Sequence, residues 1–165
     1  MKIVNAGSIT ESEINDLKLD RQRMFFKSNF GFLKEHNGIR PGRVHVLMGT
    51  AGSGKSTVVR SILADYLRCN QEPVYCWLSE EEPAELQEGL IPFDLSANDL
   101  GKCLIESELD EMPDKVDKIL ERAAMSGSKI LFIDNLTTSQ FYMDQKISAQ
   151  SGLVTKLKRF AVETN

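Results

Sequence analysis

The sequence predicts an α/β fold, a mostly parallel sheet covered by helices, and three observations carry the prediction. The stretch Gly49-Thr50-Ala51-Gly52-Ser53-Gly54-Lys55-Ser56-Thr57 matches G-x-x-x-x-G-K-[ST] between an apolar run and a helical one. Val74-Tyr75-Cys76-Trp77-Leu78 and Lys129-Ile130-Leu131-Phe132-Ile133-Asp134 have the length and the apolar, β-branched and aromatic content of buried strands. Segments with helical period separate them, the alternation expected of crossover-connected parallel strands. With 165 residues and 41% apolar content the chain makes one domain with a single sizeable core.

The Gly49 to Thr57 loop needs each of its residue types. Its glycines let backbone N–H groups curl around phosphate oxygens, and Lys55 is of a length to reach the β and γ phosphates. The Ser56 hydroxyl suits Mg²⁺, and the helix that begins here turns its partial positive end toward the anion. A chance match in a chain of this length is expected in roughly one protein in a hundred or fewer, given average residue usage. Its flanks fit as well. Val44-His45-Val46-Leu47-Met48 reads as a buried parallel strand, and Val58, Val59, Ile62, Leu63, Tyr66 and Leu67 recur at helical spacing. The fold predicted is therefore a P-loop nucleotide-binding one, with ATP and Mg²⁺ as its cofactors.

A formal charge of −4 argues against a broad electrostatic grip on nucleic acid, which takes many Lys or Arg contacts to phosphate. Cys69, Cys76 and Cys103 lack any C-x-x-C spacing and lie in or beside apolar segments, as reduced core thiols do. No signal peptide, membrane-length apolar run or lipidation motif is read in the sequence, so a soluble cytoplasmic protein with no membrane partner is expected.

In chain order, Thr10-Glu11-Ser12-Glu13 has capping-box form and opens a helix with Ile14, Leu17, Met24 and Phe25 on a narrow apolar stripe. Residues 1–29 are read as a helical arm, lying on its own domain or docking on a neighbouring subunit, and residues 30–165 as the core. Phe30 to Gly38 is a short helical turn with a glycine stop, and Ile39-Arg40-Pro41-Gly42 turns into the first core strand. His45 within that strand reads as a core or edge histidine. At the carboxyl end of Val74–Leu78, where open α/β sheets bind ligands, stand Ser79-Glu80-Glu81-Glu82 and then Pro83 at a helix start. Glu82 and Glu85 suit a first helical turn. A carboxylate at the strand tip can instead orient or deprotonate an attacking water, which makes Glu80 and Glu81 the catalytic candidates with Lys55.

Ile91 to Asp99 reads as a loop, Lys102 to Glu106 as a third strand, and Asp114 to Met125 as a helix burying Val116, Ile119, Leu120 and Ala123 before a stop at Gly127. The strand ending in Asp134 is read as fully buried. A carboxylate there is costly unless it is paired or near a metal, so Asp134 joins Ser56 as a candidate Mg²⁺ residue, acting through water or through Ser56. Phe141, Tyr142 and Lys146 lie in a polar stretch that can either stack on bases or anchor a loop. From Ile147 a further helix carries Gln150, Leu153, Val154, Leu157, Phe160 and Ala161 on one side and Lys156, Lys158 and Arg159 elsewhere.

The order of these elements resembles the RecA-like ATPases, including DnaB-type replicative helicases and KaiC-type ATPases, over Phe30 to Asn165. The resemblance implies a three-layer sandwich around the sheet. It also implies a catalytic glutamate six residues after the start of the second strand and six before a helix leucine. From Val74 and from Leu86 both counts give Glu80. Glu80-Glu81-Glu82-Pro83-Ala84-Glu85-Leu86 is similar to the KaiC-like pattern E-E-x-P-x-x-L, whereas DnaB-type proteins usually carry a methionine in place of the second acid. The family also has a strand between the P-loop strand and the Asp134 strand, then a γ-phosphate sensor and an arginine finger. None can be located before Asn165, so the chain is expected to be a partial form whose sheet lacks a central strand and whose isolated turnover is slow or absent.

Two function classes follow. The first is the motor of a DnaB-like ring, a hexameric homo-oligomer that grips single-stranded DNA in a bacterial or virus-infected cytoplasm. The second is a regulatory ATPase in which nucleotide controls assembly, favoured by the Glu80-Glu81 pair and the acidic charge. A small-molecule kinase fits less well, because no arginine for a lid occurs between Gly89 and Asp110.

Overall fold

The computed structural model describes residues 10–12, 15, 26–79, 81–107, 115–134 and 147–163. Its elements are α1 (Gly31–Glu35), α2 (Lys55–Cys69), β1 (Val74–Leu78), α3 (Pro83–Leu90), a 3-10 turn (Ile91–Phe93), α4 (Ala97–Leu100), β2 (Cys103–Ser107), α5 (Lys115–Met125), β3 (Ile130–Asp134) and α6 (Ile147–Glu163). The three strands form a parallel sheet in the order β2-β1-β3. Tyr75 stands opposite Leu104 on one side and Leu131 on the other, and Leu78 stands opposite Ser107 and Asp134.

Every residue of β1 is buried, as a central strand of Val, Tyr, Cys, Trp and Leu requires. Successive side chains leave opposite faces of the sheet, so this one strand feeds two cores. Val74, Cys76 and Leu78 pack with Leu63, Leu67, Leu86 and Leu90 of α2 and α3. Tyr75 and Trp77 pack with Ile119 and Ala123 of α5, with Phe160 of α6 against them. Helices thus cover both faces of the described sheet, the three layers that the resemblance implies. Leucines as fully buried as Leu63 and Leu67 each contribute about 1.5–3 kcal/mol by leaving water.

The largest correction concerns Val44–Met48. The segment is not a strand, and Val46 and Met48 are 68% and 85% exposed. A buried strand needs a neighbour for its N–H and C=O groups. Among the described residues β3 pairs with β1 alone, and no strand lies beside residues 43–50. His45 is accordingly exposed and not a core residue. For the same reason β3, read as fully buried, is half-buried: it forms one edge of the described sheet.

Residues 91–99 are also more regular than a loop. The 3-10 turn is followed by α4, whose cap residue Ser96 accepts a hydrogen bond from the Asp99 N–H at 3.1 Å while Asp99 Oδ2 accepts from the Ser96 N–H at 3.2 Å. That reciprocal pair is a capping box, and the Ser96 hydroxyl, donating to Asp99 Oδ2 at 2.7 Å, followed by Lys102, holds the Asp99 carboxyl below its usual range. Most of the arm predicted over residues 1–29, including Ile14, Leu17, Met24 and Phe25, lies outside the described residues, as do Phe141, Tyr142 and Lys146.

Residues 26–39 are anchored to α2. Phe26 and Ile39 exchange two backbone hydrogen bonds of 3.0 Å, and the Phe26 ring meets Tyr66 edge-on at 5.4 Å. Asn70, buried at the C-cap of α2, acts like a strand residue through its side chain. Its Oδ1 accepts from Lys27 N at 3.0 Å, and its Nδ2 donates to Lys27 O at 2.9 Å and to Tyr66 O at 3.0 Å. Asn70→Ala removes all three and leaves the Lys27 backbone groups without those partners, so a loss of about 2–3 kcal/mol is expected by denaturant titration.

Tyr75 donates its phenol proton to Glu106, which is also paired with Arg122. Burial, followed by the Glu106 contact, pushes its pKa from 10.0 up to about 12. The folded chain holds this proton more tightly than the unfolded one, so the stabilisation is whole below pH 10 and fades as pH rises through about 12. Tyr75→Phe is expected to lose less stability over that window than the unsubstituted chain, measured as the denaturant midpoint against pH.

Candidate nucleotide site

The loop before α2 takes the shape its glycines allow. Gly52 and Gly54 have φ of 72° and 84°, in the left-handed region, and Gly54 is the residue from which α2 departs. Val58 N donates to Gly54 O at 3.0 Å, and Ser53 N to Thr50 O at 3.2 Å. Gly54 brings no side chain to cap the helix, so the first-turn N–H groups of α2 open into the loop. Lys55 Nζ donates to Thr50 O at 2.9 Å, which keeps the ammonium within the loop's own curve. Gly49 to Gly54 and Thr57 are exposed, while Lys55 and Ser56 are half-buried. Open N–H groups at a helix N-terminus and a lysine beside them are parts a triphosphate requires.

Asp134 closes the carboxyl end of β3 beside the end of β1, and Ser79 N donates to its carbonyl at 2.9 Å. It lines a cavity of about 10 Å³ with Val59, Arg60 and Leu63 of α2, a space of about one water. Arg60 lies four residues beyond Ser56, on the same side of the helix. The second turn of α2 and Asp134 therefore stand together at the carboxyl end of the sheet. Among the described residues no three His, Cys, Asp or Glu side chains gather. Ser56, through its hydroxyl, and Asp134, through water, are residues that could hold a divalent ion whose other ligands are phosphate and water oxygens, which suits Mg²⁺.

Glu81, Glu82 and Glu85, after β1, separate by role. Pro83 is the first residue of α3, and Glu85 Oε2 accepts from the Glu82 N–H at 3.0 Å, so Glu85 caps the helix with Glu82 as its N-cap residue. Glu81 turns to α2: both its oxygens accept from Arg60 Nη2, at 2.6 and 2.7 Å. Glu80 lies outside the described residues. Arg60 was not among the predicted site residues. The available signal is an arginine one turn past the motif's serine, between the apolar pairs Val58-Val59 and Ile62-Leu63.

Cys76, behind the site, has its Sγ 3.6 Å from Cys103 Sγ on β2. That hydrogen bond and burial push the Cys76 thiol well up, so it is an inert core residue at neutral pH.

A parallel sheet between helical layers, with the Gly49–Thr57 loop opening α2, defines a P-loop nucleotide-binding domain. Residues 45–164 match the model of the ATPase family associated with various cellular activities (AAA), and the chain belongs to that family. It is thus an ATP-binding and ATP-hydrolysing domain. No curated protein matches it significantly. Among the described residues no helix is long and apolar enough to cross a membrane.

Proposed function

We propose that the chain is the Mg²⁺-dependent ATPase motor of a DnaB-like helicase ring. The observation that supports this reading is that Asp134, at the carboxyl end of β3, lines a small cavity with Val59 and Arg60 of α2, the helix that the loop opens. Gly49 to Thr57 hold the triphosphate, with Lys55 on its β and γ phosphates. Ser56, and Asp134 through water, would hold a Mg²⁺ ion, which would supply neutralisation of the charge on the phosphates. Glu80 accepts a proton from the attacking water, whose oxygen bonds to the γ-phosphorus as the bond to the β-bridging oxygen breaks. Residues 1–29 serve as an arm to the adjacent subunit and residues 30–165 as the motor core.

A second reading, a regulatory ATPase whose nucleotide state controls assembly, is favoured by the paired acids Glu80 and Glu81 in step with Pro83. Single-stranded DNA separates the two. Stimulation of phosphate release by an oligonucleotide supports the motor; nucleotide-dependent assembly indifferent to DNA refutes it in favour of the regulator.

A further inference from the structure

We propose that Arg60 is a positioning residue that locks Glu81, tying the turn after β1 to the phosphate-binding helix and leaving Glu81 unavailable as the base. Three observations carry this. One guanidinium nitrogen bridges both Glu81 oxygens, at 2.6 and 2.7 Å, and both side chains are only 22% exposed. A charge-assisted contact shielded from most of the solvent is stronger than one on the open surface, and removing either partner leaves the other without it.

The second observation is Gly89, in the last turn of α3. A Cβ built there would lie 2.7 Å from Arg60 Nε and 2.8 Å from its Cδ and Cζ. An interior helix glycine is ordinarily destabilising; here it makes the notch in which the guanidinium sits. The third is sequence position. Arg60 stands one helical turn beyond Ser56, and Glu81 stands three residues beyond Leu78, the end of β1. The ion pair is therefore a strut between the element that begins at the phosphate loop and the segment that carries the two candidate bases. A carboxylate whose two oxygens both face the Arg60 guanidinium is turned toward α2 and is not free to align an attacking water.

The proposal rests on reading the site as one that activates water, and two readouts keep their failures apart. On the full chain, Arg60→Ala and Glu81→Gln are each expected to lower kcat about tenfold or more, as loss of alignment does. ATP affinity should stay within about twofold, and the double variant should be no slower than the worse single one, because the two residues act as a unit. Turnover abolished by Glu81→Gln but untouched by Arg60→Ala would overturn the proposal and make Glu81 the base.

The second readout needs no turnover. Gly89→Ala should lower the thermal midpoint when Arg60 is present and raise it in an Arg60→Ala background, where helix propensity alone acts. An increase in both backgrounds would show that no lock exists. If the chain binds ATP but releases no phosphate, the water-activating reading fails, and the sign of this midpoint shift still decides for or against the lock.

Discussion

Glu80→Gln is expected to leave ATP bound at nearly unchanged affinity and to slow phosphate release by about 100- to 10,000-fold, the contribution of a general base. The amide keeps the shape and hydrogen-bonding reach of the carboxylate but accepts no proton at neutral pH. Removing an interaction that already holds the ground state would raise KM. Removing one made only in the transition state lowers kcat and kcat/KM together, and that is the pattern expected here. Single-turnover phosphate release from preloaded complexes, compared at equal nucleotide occupancy, measures it without interference from binding. Release by Glu80→Gln at the unsubstituted rate would mean that another group activates the water.

Lys55→Ala is expected to act on the other side of the split. The ammonium is held in the loop by Thr50 O at 2.9 Å, so its position is set before nucleotide arrives. A charge-assisted contact to phosphate is worth about 1.5–3 kcal/mol, and its removal weakens ATP binding roughly 10- to 150-fold. Because Lys55 begins α2 and is only half-buried, the fold should survive the change. A thermal midpoint close to that of the unsubstituted chain is the control.

How legible this was in the sequence depended on how local the cause was. α2 and β1 are written in short-range pattern: Leu63, Ala64, Tyr66 and Leu67 share a helix face, and five consecutive apolar residues make a central strand. Pro83 and Gly127 mark a helix start and a helix stop through their own backbone preferences. Val44–Met48 shows where such reading ends. Its composition is that of a strand, but a strand exists only with a neighbour, and composition does not report which neighbours the sheet supplies. The half-burial of β3 is the same fact seen from the sheet.

The site divides in the same way. The Gly49 to Thr57 loop is legible because its pattern lies in consecutive residues, two of which take positive φ. Asp134 is legible as the polar end of an apolar run. The lock is not, because Arg60, Glu81 and Gly89 come from α2, the turn after β1 and α3, and only packing brings them together. Adjacent in sequence, Glu80 and Glu81 are both candidates at the strand tip; the Arg60 ion pair sets Glu81 apart.

The most direct test is a titration of Mg²⁺ and ATP into the unsubstituted chain and Lys55→Ala under identical conditions. Saturable binding that weakens roughly 10- to 150-fold in the variant is the expected result. Equal affinity in the two chains would contradict the assignment of Gly49 to Thr57 as the nucleotide site.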